Sequence, residues 1–425
     1  MNETYRSIPV SELSSDVVLS APVYDAHGRQ TKLLGSGVRL TEGRIHKLHQ
    51  LGVTNVSISL RDVAATNLFK PQGTLKSVPS DHVFPRSFVK NDETEKLDEV
   101  IESGNGLTVD PCESSILDAI QDSSPDIYNR SAVQALSAQY ESNLVYLDDL
   151  YKTFIASGSP DIAGLERICQ RAIETLLADK DMFACLGVNP FGVDYPVRHS
   201  LHVALLSIAI GVQLGLDDAN LMDLGVGCLI HDLGMLRVET RVHEKTQRLN
   251  PRELSLVSNH PVHTLHYLGM ARASVSARAR IVAYQIHERC NGTGYPRRRQ
   301  GNQIHDLAKI AAVADVYVGL VASRSFRKGL QPYRAVEKIL YDMRAGLFSP
   351  RVIRGLLETI SLFPIGSYVT LNSGQAARVI RANGKSYDRP IVELLSPTGT
   401  PSTVVDLDRD RSLSVVKTIP RVTKF

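Results

Sequence analysis

From Tyr195 to about Ile360 the apolar residues recur at intervals of three or four, the period of an α-helix. The repeat is interrupted at Gly215, Pro251, Gly269, Gly292, Pro332 and Pro350. This pattern predicts an all-α domain. Nine of the thirteen histidines fall inside it, between His199 and His305. Its most apolar stretch, Val203 to Leu216, is interrupted by Ser207 and Gln213. That is shorter than the roughly 20 apolar residues needed to span a bilayer, so no membrane span is expected.

Composition narrows the chemistry. Among 425 residues, 48 Lys and Arg stand against 45 Asp and Glu, a net charge of +3. No strong global field calls for DNA, RNA or an anionic membrane as partner. The N-terminus lacks the basic then apolar layout of a secretory leader. Five cysteines, Cys112, Cys169, Cys185, Cys228 and Cys290, are scattered singly. That spacing suits a reducing cytoplasm and argues against a disulfide scaffold or a zinc–thiolate site.

The chain reads as multidomain. Residues 1–62 alternate as a small α+β module: strand-like runs around a turn at Asp25 to Gly28, a short helix through Ile45, Leu48 and Leu51, and a strand near Val56 and Ile58. Residues 63–131, rich in Ser, Asp, Glu, Pro and Asn, read as a largely disordered linker with a short helix near Ile116 to Ile120. Residues 132–180 return to helical periodicity (Leu136, Tyr140, Leu144, Leu147, Leu150, Phe154) as packing helices, and 181–360 form the all-α core. Residues 361–425 become strand-like, with runs at Tyr368 to Leu371, Ala377 to Ile380 and Ile391 to Leu394. Turn residues such as Asn383-Gly384 bound them, which predicts a small β domain.

The sharpest local feature is His231-Asp232 in Leu229-Ile230-His231-Asp232-Leu233-Gly234. An adjacent imidazole and carboxylate can serve one metal, and the second carboxylate oxygen can bridge to another. Alone, such a pair is more often a buried Asp oriented by its neighbour. Here it is accompanied by His199, by His260 in Asn259-His260-Pro261, by His287 in His287-Glu288-Arg289 and by Asp315 in Val313-Ala314-Asp315. Most of these lie about thirty residues apart, the length of a helix with its connection, so successive helices can aim donors at one centre. Nitrogen and carboxylate donors without thiolate suit iron, manganese or zinc over magnesium or calcium.

These strings, with Gly292-Thr293-Gly294-Tyr295-Pro296, Ala308-Lys309-Ile310 and Phe326-Arg327, resemble the HD-GYP phosphodiesterases, which cleave the bacterial second messenger cyclic di-GMP. The likeness covers most of Tyr195 to Leu357. It implies an HD-type helical core over 181–360, flanked by the α+β module and the β domain. It further implies that His199, His231, Asp232 and Asp315 hold one metal and that Asp232, His260 and His287 hold a second. The two ions, iron or manganese, would activate the attacking oxygen, with Asp232 central to catalysis. Gly294, Tyr295 and Pro296 would shape the nucleotide pocket, Tyr295 stacking on guanine, while Arg324 and Arg327 face phosphate. The implied partners are cyclic di-GMP and a second copy of the chain or a signalling protein.

Several positions depart from the family pattern. Met235 stands where a phosphate-facing lysine is usual, and Arg237, two residues on, is the candidate catalytic cation in its place. Ile286 replaces a second histidine, Tyr195 a glutamate, Asn291 an aspartate and Val318 an aspartate. The losses at 286 and 195 favour two metals over three. If Met235 impairs the site, Met235→Lys should raise turnover. An alternative is a degenerate domain that binds nucleotide or protein without hydrolysis. A phosphohydrolase acting on another nucleotide is disfavoured by Gly294-Tyr295-Pro296.

Overall fold

A computed structural model describes residues 5–10, 13, 17–25, 32–51, 53–59, 89, 91–104, 106–109, 130–156, 161–178, 195–239, 242, 245, 249–270, 274–323, 329–384, 386–396 and 401–419. Residues 1–83 and 84–425 form separate units. In the first, β1 (Tyr5–Pro9), β2 (Val17–Val18), β3 (Val23–Asp25), β4 (Lys32–Leu34) and β5 (Arg39–Leu40) precede α1 (Glu42–Gln50) and β6 (Asn55–Ser59). The main sheet is antiparallel in the order β1-β6-β3-β4, and β2 pairs with β5. The Thr41 hydroxyl caps α1 by accepting from the Arg44 N–H. Ile45 and Leu48 face a core with Val23, Leu40, Val56 and Ile58. Leu51, expected on the same face, is the C-cap and is 67% exposed.

The second unit begins inside the segment read as linker, and here the structure differs from the sequence expectation. Asp92–Glu102 is a helix, α2, started by a reciprocal capping box between Asn91 and Thr94. Its buried Leu97 and Ile101, one turn apart, join the main core. The short helix expected near Ile116 to Ile120 lies outside the described residues.

There follow α3 (Arg130–Ala156), α4 (Ile162–Ala178), α5 (Val197–Gln213) and α6 (Asp218–Ile230), then a 3-10 turn (Leu233–Arg237). After these come α7 (Pro251–Ser258), α8 (His260–Met270), α9 (Ala277–Gln285), α10 (Asp306–Val321), α11 (Pro332–Arg344) and α12 (Pro350–Ile360). The expected stripe on α3 is buried: Tyr140, Leu144, Leu147, Leu150 and Phe154. Every residue of α5 from His199 to Val212 is buried, as a helix apolar on all sides requires. α6 packs against α4, α5 and α9, and α10 against α5, so the helices that carry the histidines enclose one another. None of the described helices is long and apolar enough to cross a membrane.

After α12, β7 (Tyr368–Leu371), β8 (Ala376–Arg381), β9 (Ile391–Leu395), β10 (Pro401–Asp406) and β11 (Val415–Ile419) form an antiparallel sheet in the order β10-β9-β8-β7-β11. Its own core holds Val369, Leu371, Val379 and Val392. The Leu362 N–H donates to the Tyr387 carbonyl at 2.8 Å, joining this layer to the end of α12. The unit is thus a helical core with a strand-containing region at its C-terminal end, and residues 1–83 supply another strand-containing region.

Candidate metal centre

Each candidate donor sits where a helix begins, ends or is most buried. His199 lies in the first turn of α5, His231 caps the C-terminus of α6, and Asp232 follows as the chain tightens into the 3-10 turn. That turn is held against α8 by Thr264, whose hydroxyl donates to the His231 carbonyl at 2.9 Å and accepts from the Gly234 N–H at 2.9 Å. A Cβ on residue 234 would stand 2.0 Å from the His260 carbonyl oxygen, so only glycine permits this approach. His260 opens α8, His287 follows the last turn of α9, and Asp315 lies within α10.

All six side chains converge. His199 Nε2 is 3.0 Å from Asp315 Oδ1, and His287 Nδ1 is 3.3 Å from Asp315 Oδ2. Asp232 reaches His260 Nε2 through Oδ1 at 3.3 Å and His231 Nε2 through Oδ2 at 3.5 Å. His260 and His287 approach through their Nε2 atoms at 3.0 Å. Two donor groups have the compactness of a metal site, His199–His231–Asp315 and His231–Asp232–His287, with donor atoms within 4.8 Å of one another.

The protonation pattern fits a cation. His231 Nδ1 and His260 Nδ1 each lie 2.7 Å from a backbone carbonyl, those of Cys228 and Val257. A carbonyl only accepts, so both Nδ1 atoms carry the proton and a neutral ring offers its Nε2 lone pair. Burial, reinforced by His287, holds His260 neutral with its pKa down at about 3. Among the described residues, His231 Nε2 and Asp232 Oδ2 are buried without a hydrogen-bond partner, a costly state for polar atoms. Burial alone would raise the Asp232 carboxyl, yet the surrounding imidazoles bring it to about 2. Asp315 is likewise held well below the usual carboxylate range, burial being outweighed by His287 and His199. Anionic oxygens and neutral nitrogens aimed inward form a donor set suited to a divalent transition metal.

Gly294, Tyr295 and Pro296 border this cluster. A Cβ on residue 294 would meet the backbone of Glu288 and Arg289 at 2.5 and 2.4 Å, so the loop folds tightly onto the His287 strand of chain. The Tyr295 ring stacks on His287 at 4.8 Å between centroids and meets His260 edge-on at 6.0 Å. It therefore backs two candidate ligands. Arg289 lies 3.9 Å from Asp315 and over the Phe348 ring.

Arg237 is exposed, its charge acts on His263, and no hydrogen bond or ion pair ties it to the cluster among the described residues. Arg324 and Arg327 lie outside the described residues. Met235 is 4% exposed and clusters with Val238 and Val242, and Tyr195 packs on the same cluster. Two departures from the family pattern thus share one apolar patch, from which Tyr195 also reaches His199 at 5.7 Å between ring centroids. Ile286 and Val318 are fully buried core residues. Asn291 supplies the acceptor a turn needs, taking hydrogen bonds from the Thr293 N–H at 3.2 Å and hydroxyl at 2.7 Å.

Sequence reasoning missed three supporting residues: Thr264, Tyr151 and Glu288. Tyr151, on α3, donates its hydroxyl to the Leu229 carbonyl at 2.7 Å and lies 3.1 Å from the Ser200 hydroxyl. Glu288 accepts from the Arg297 and Arg299 N–H groups at 2.7 and 3.0 Å. Burial lifts its pKa to about 7 against those bonds. The one signal available was the place of Glu288 within the string His287-Glu288-Arg289.

Residues 186–352 match the HD domain family. A cyclic di-GMP phosphodiesterase of Pseudomonas aeruginosa is 34% identical over 220 residues, 51% of this chain and 52% of that protein. The 3'3'-cGAMP-specific phosphodiesterase 3 of Vibrio cholerae is 30% identical over 173 residues, 40% of this chain and 36% of that protein. Among solved structures, an HDG"Y"P protein of Bdellovibrio bacteriovorus covers 83% of this chain and 98% of its own, with 16% identity and a TM-score of 0.43. The chain spans about half the length of the Pseudomonas relative and about a third of the Vibrio one.

Proposed function

We propose that this chain, whose residues 186–352 match the HD domain family, is a metal-dependent phosphodiesterase that hydrolyses cyclic di-GMP to linear pGpG, GMP or both. The observation that carries the proposal is the convergence of His199, His231, Asp232, His260, His287 and Asp315, with lone-pair nitrogens and anionic oxygens facing inward. The relatives' activities on cyclic dinucleotides supply the substrate class.

In this reading His199, His231, Asp232 and Asp315 hold one ion and Asp232, His260 and His287 the other, Asp232 contributing to both. Bound iron or manganese supplies Lewis acidity at the phosphoryl oxygens and lowers the pKa of a water nucleophile. The protein's own work is orientation. Carbonyls of Cys228 and Val257 fix the His231 and His260 tautomers, and Tyr295 limits the swing of His287. Gly294 and Pro296 shape the pocket wall, while Arg324 and Arg327 supply guanidinium forks for phosphate. Water adds across one P–O3′ bond, its oxygen to phosphorus and a proton to the released 3′-oxygen.

The test is incubation of metal-loaded protein with cyclic di-GMP and, in parallel, 3'3'-cGAMP, followed by chromatography of the products. Linear products from cyclic di-GMP are expected. Tight binding without turnover would establish the non-hydrolysing reading, and cleavage of 3'3'-cGAMP alone would reassign the substrate.

A further inference from the structure

The loop that carries Tyr295 is held from two sides. From within, Glu288 accepts from the Arg297 and Arg299 backbone N–H groups, one through each carboxylate oxygen. From outside the matched HD segment, Asp98 on α2 takes both of the same arginines by their side chains. Asp98 Oδ1 is 2.6 Å from Arg299 Nη2, and Oδ2 is 3.1 Å from Arg297 Nε. The Tyr284 hydroxyl donates to Asp98 at 3.2 Å, and the Arg297 guanidinium lies 5.9 Å from the Tyr284 ring centre.

The helix bearing Asp98 is itself docked on the histidine-bearing helices. Glu93 pairs with Arg280 on α9, the Asn91 amide donates to the Val262 carbonyl on α8 at 3.5 Å, and Leu97 and Ile101 are buried. Arg299 is 6% exposed and Asp98 is shielded, so these pairs are drier than ordinary surface ion pairs.

On the reading that this site hydrolyses cyclic dinucleotides, we propose that Asp98 is a positioning residue: α2 clasps the Gly-Tyr-Pro loop through Arg297 and Arg299 and so sets Tyr295 against His287. Asp98 touches neither substrate nor metal. It acts through the loop, so its loss relaxes the pocket wall, while His287 is still held by Asp315 at 3.3 Å and the six donors stay in place.

The test uses the full chain with its metal and compares wild type with Asp98→Ala and the milder Asp98→Asn. Lys96→Ala, on the solvent side of the same helix, serves as control. Hydrogen–deuterium exchange over residues 291–301 reports the Arg297 and Arg299 amides, and steady-state hydrolysis of cyclic di-GMP gives KM and kcat. Expected in Asp98→Ala is exchange in this loop faster by roughly tenfold, with the other helices unchanged. KM should rise about three- to tenfold while kcat and metal content hold within about twofold, the signature of lost substrate positioning. Asp98→Asn should fall between, and Lys96→Ala should match wild type. Unchanged loop exchange in both variants, or faster exchange with an unmoved KM, overturns the proposal. If wild type cleaves no cyclic dinucleotide, the functional reading fails and with it the assignment to substrate, while exchange still reports whether the clasp exists.

Discussion

His260 and His287 direct their Nε2 atoms at each other across 3.0 Å, and the partners of their Nδ1 atoms leave both with lone pairs when the rings are neutral. Two such lone pairs repel unless a cation lies between them, and two nitrogens each about 2.0–2.1 Å from one ion stand at about this separation. Purified protein should therefore carry about two transition-metal ions per chain, and chelation should lower Tm, since a ligand bound only to the folded state stabilises it. Asp232→Ala should lose both ions in elemental analysis. Retention of a full complement by that variant would show that Asp232 does not bridge.

Met235 sits in an apolar patch with Val238, Val242, Tyr195, Leu249 and Val257. A lysine there must bury its ammonium or distort the patch to reach water. The structure thus reverses the expectation that Met235→Lys restores a phosphate-facing charge. The substitution should destabilise the fold by about 1–3 kcal/mol and leave turnover unchanged or lower. A rise in kcat with unchanged Tm would mean that the lysine reaches phosphate and that the apolar patch is an impairment.

His202, stacked on Tyr140 at 5.1 Å, is held neutral by burial, with its pKa down at about 3 from 6.5. The unfolded chain takes up a proton below pH 6.5, whereas the folded site resists it until about pH 3. Stability from this group is therefore present above pH 6.5 and is lost as pH falls toward 3. The contribution approaches about 1.4 kcal/mol per pH unit in the middle of that window. Replacing His202 with Phe should flatten stability by that amount, measured by urea unfolding between pH 4 and 7. An unchanged slope would mean that His202 is protonated in the folded protein.

Tyr151 satisfies the Leu229 carbonyl in the last turn of α6, two residues before His231, and meets Ser200 beside His199. Carbonyls in a final helical turn lack intrahelical partners. Tyr151→Phe should cost about 1–3 kcal/mol and weaken metal retention, because both ends of the bond adjoin a candidate ligand. Lowered Tm with metal affinity intact would limit Tyr151 to packing.

The six candidate donors were legible because each lies in a short distinctive string, and the helical core because its period persists across α5 to α10. α2 escaped notice because only Leu97 and Ile101 mark its buried face, and the surface they meet belongs to helices far along the chain. The strands β10 and β11 were likewise unread. β11 is only partly buried or exposed along its length, so its place is set by pairing with β7 more than by an apolar alternation. Asp98 and Glu288 look like ordinary charges in sequence. Their importance comes from the two arginines that the fold brings to them.

The most direct measurement is turnover of cyclic di-GMP by metal-loaded protein, with Asp232→Ala alongside. The account predicts linear pGpG or GMP from wild type and loss of product in the variant, in step with its loss of metal. A folded wild-type protein that carries its metal, binds cyclic di-GMP and forms no product would contradict it.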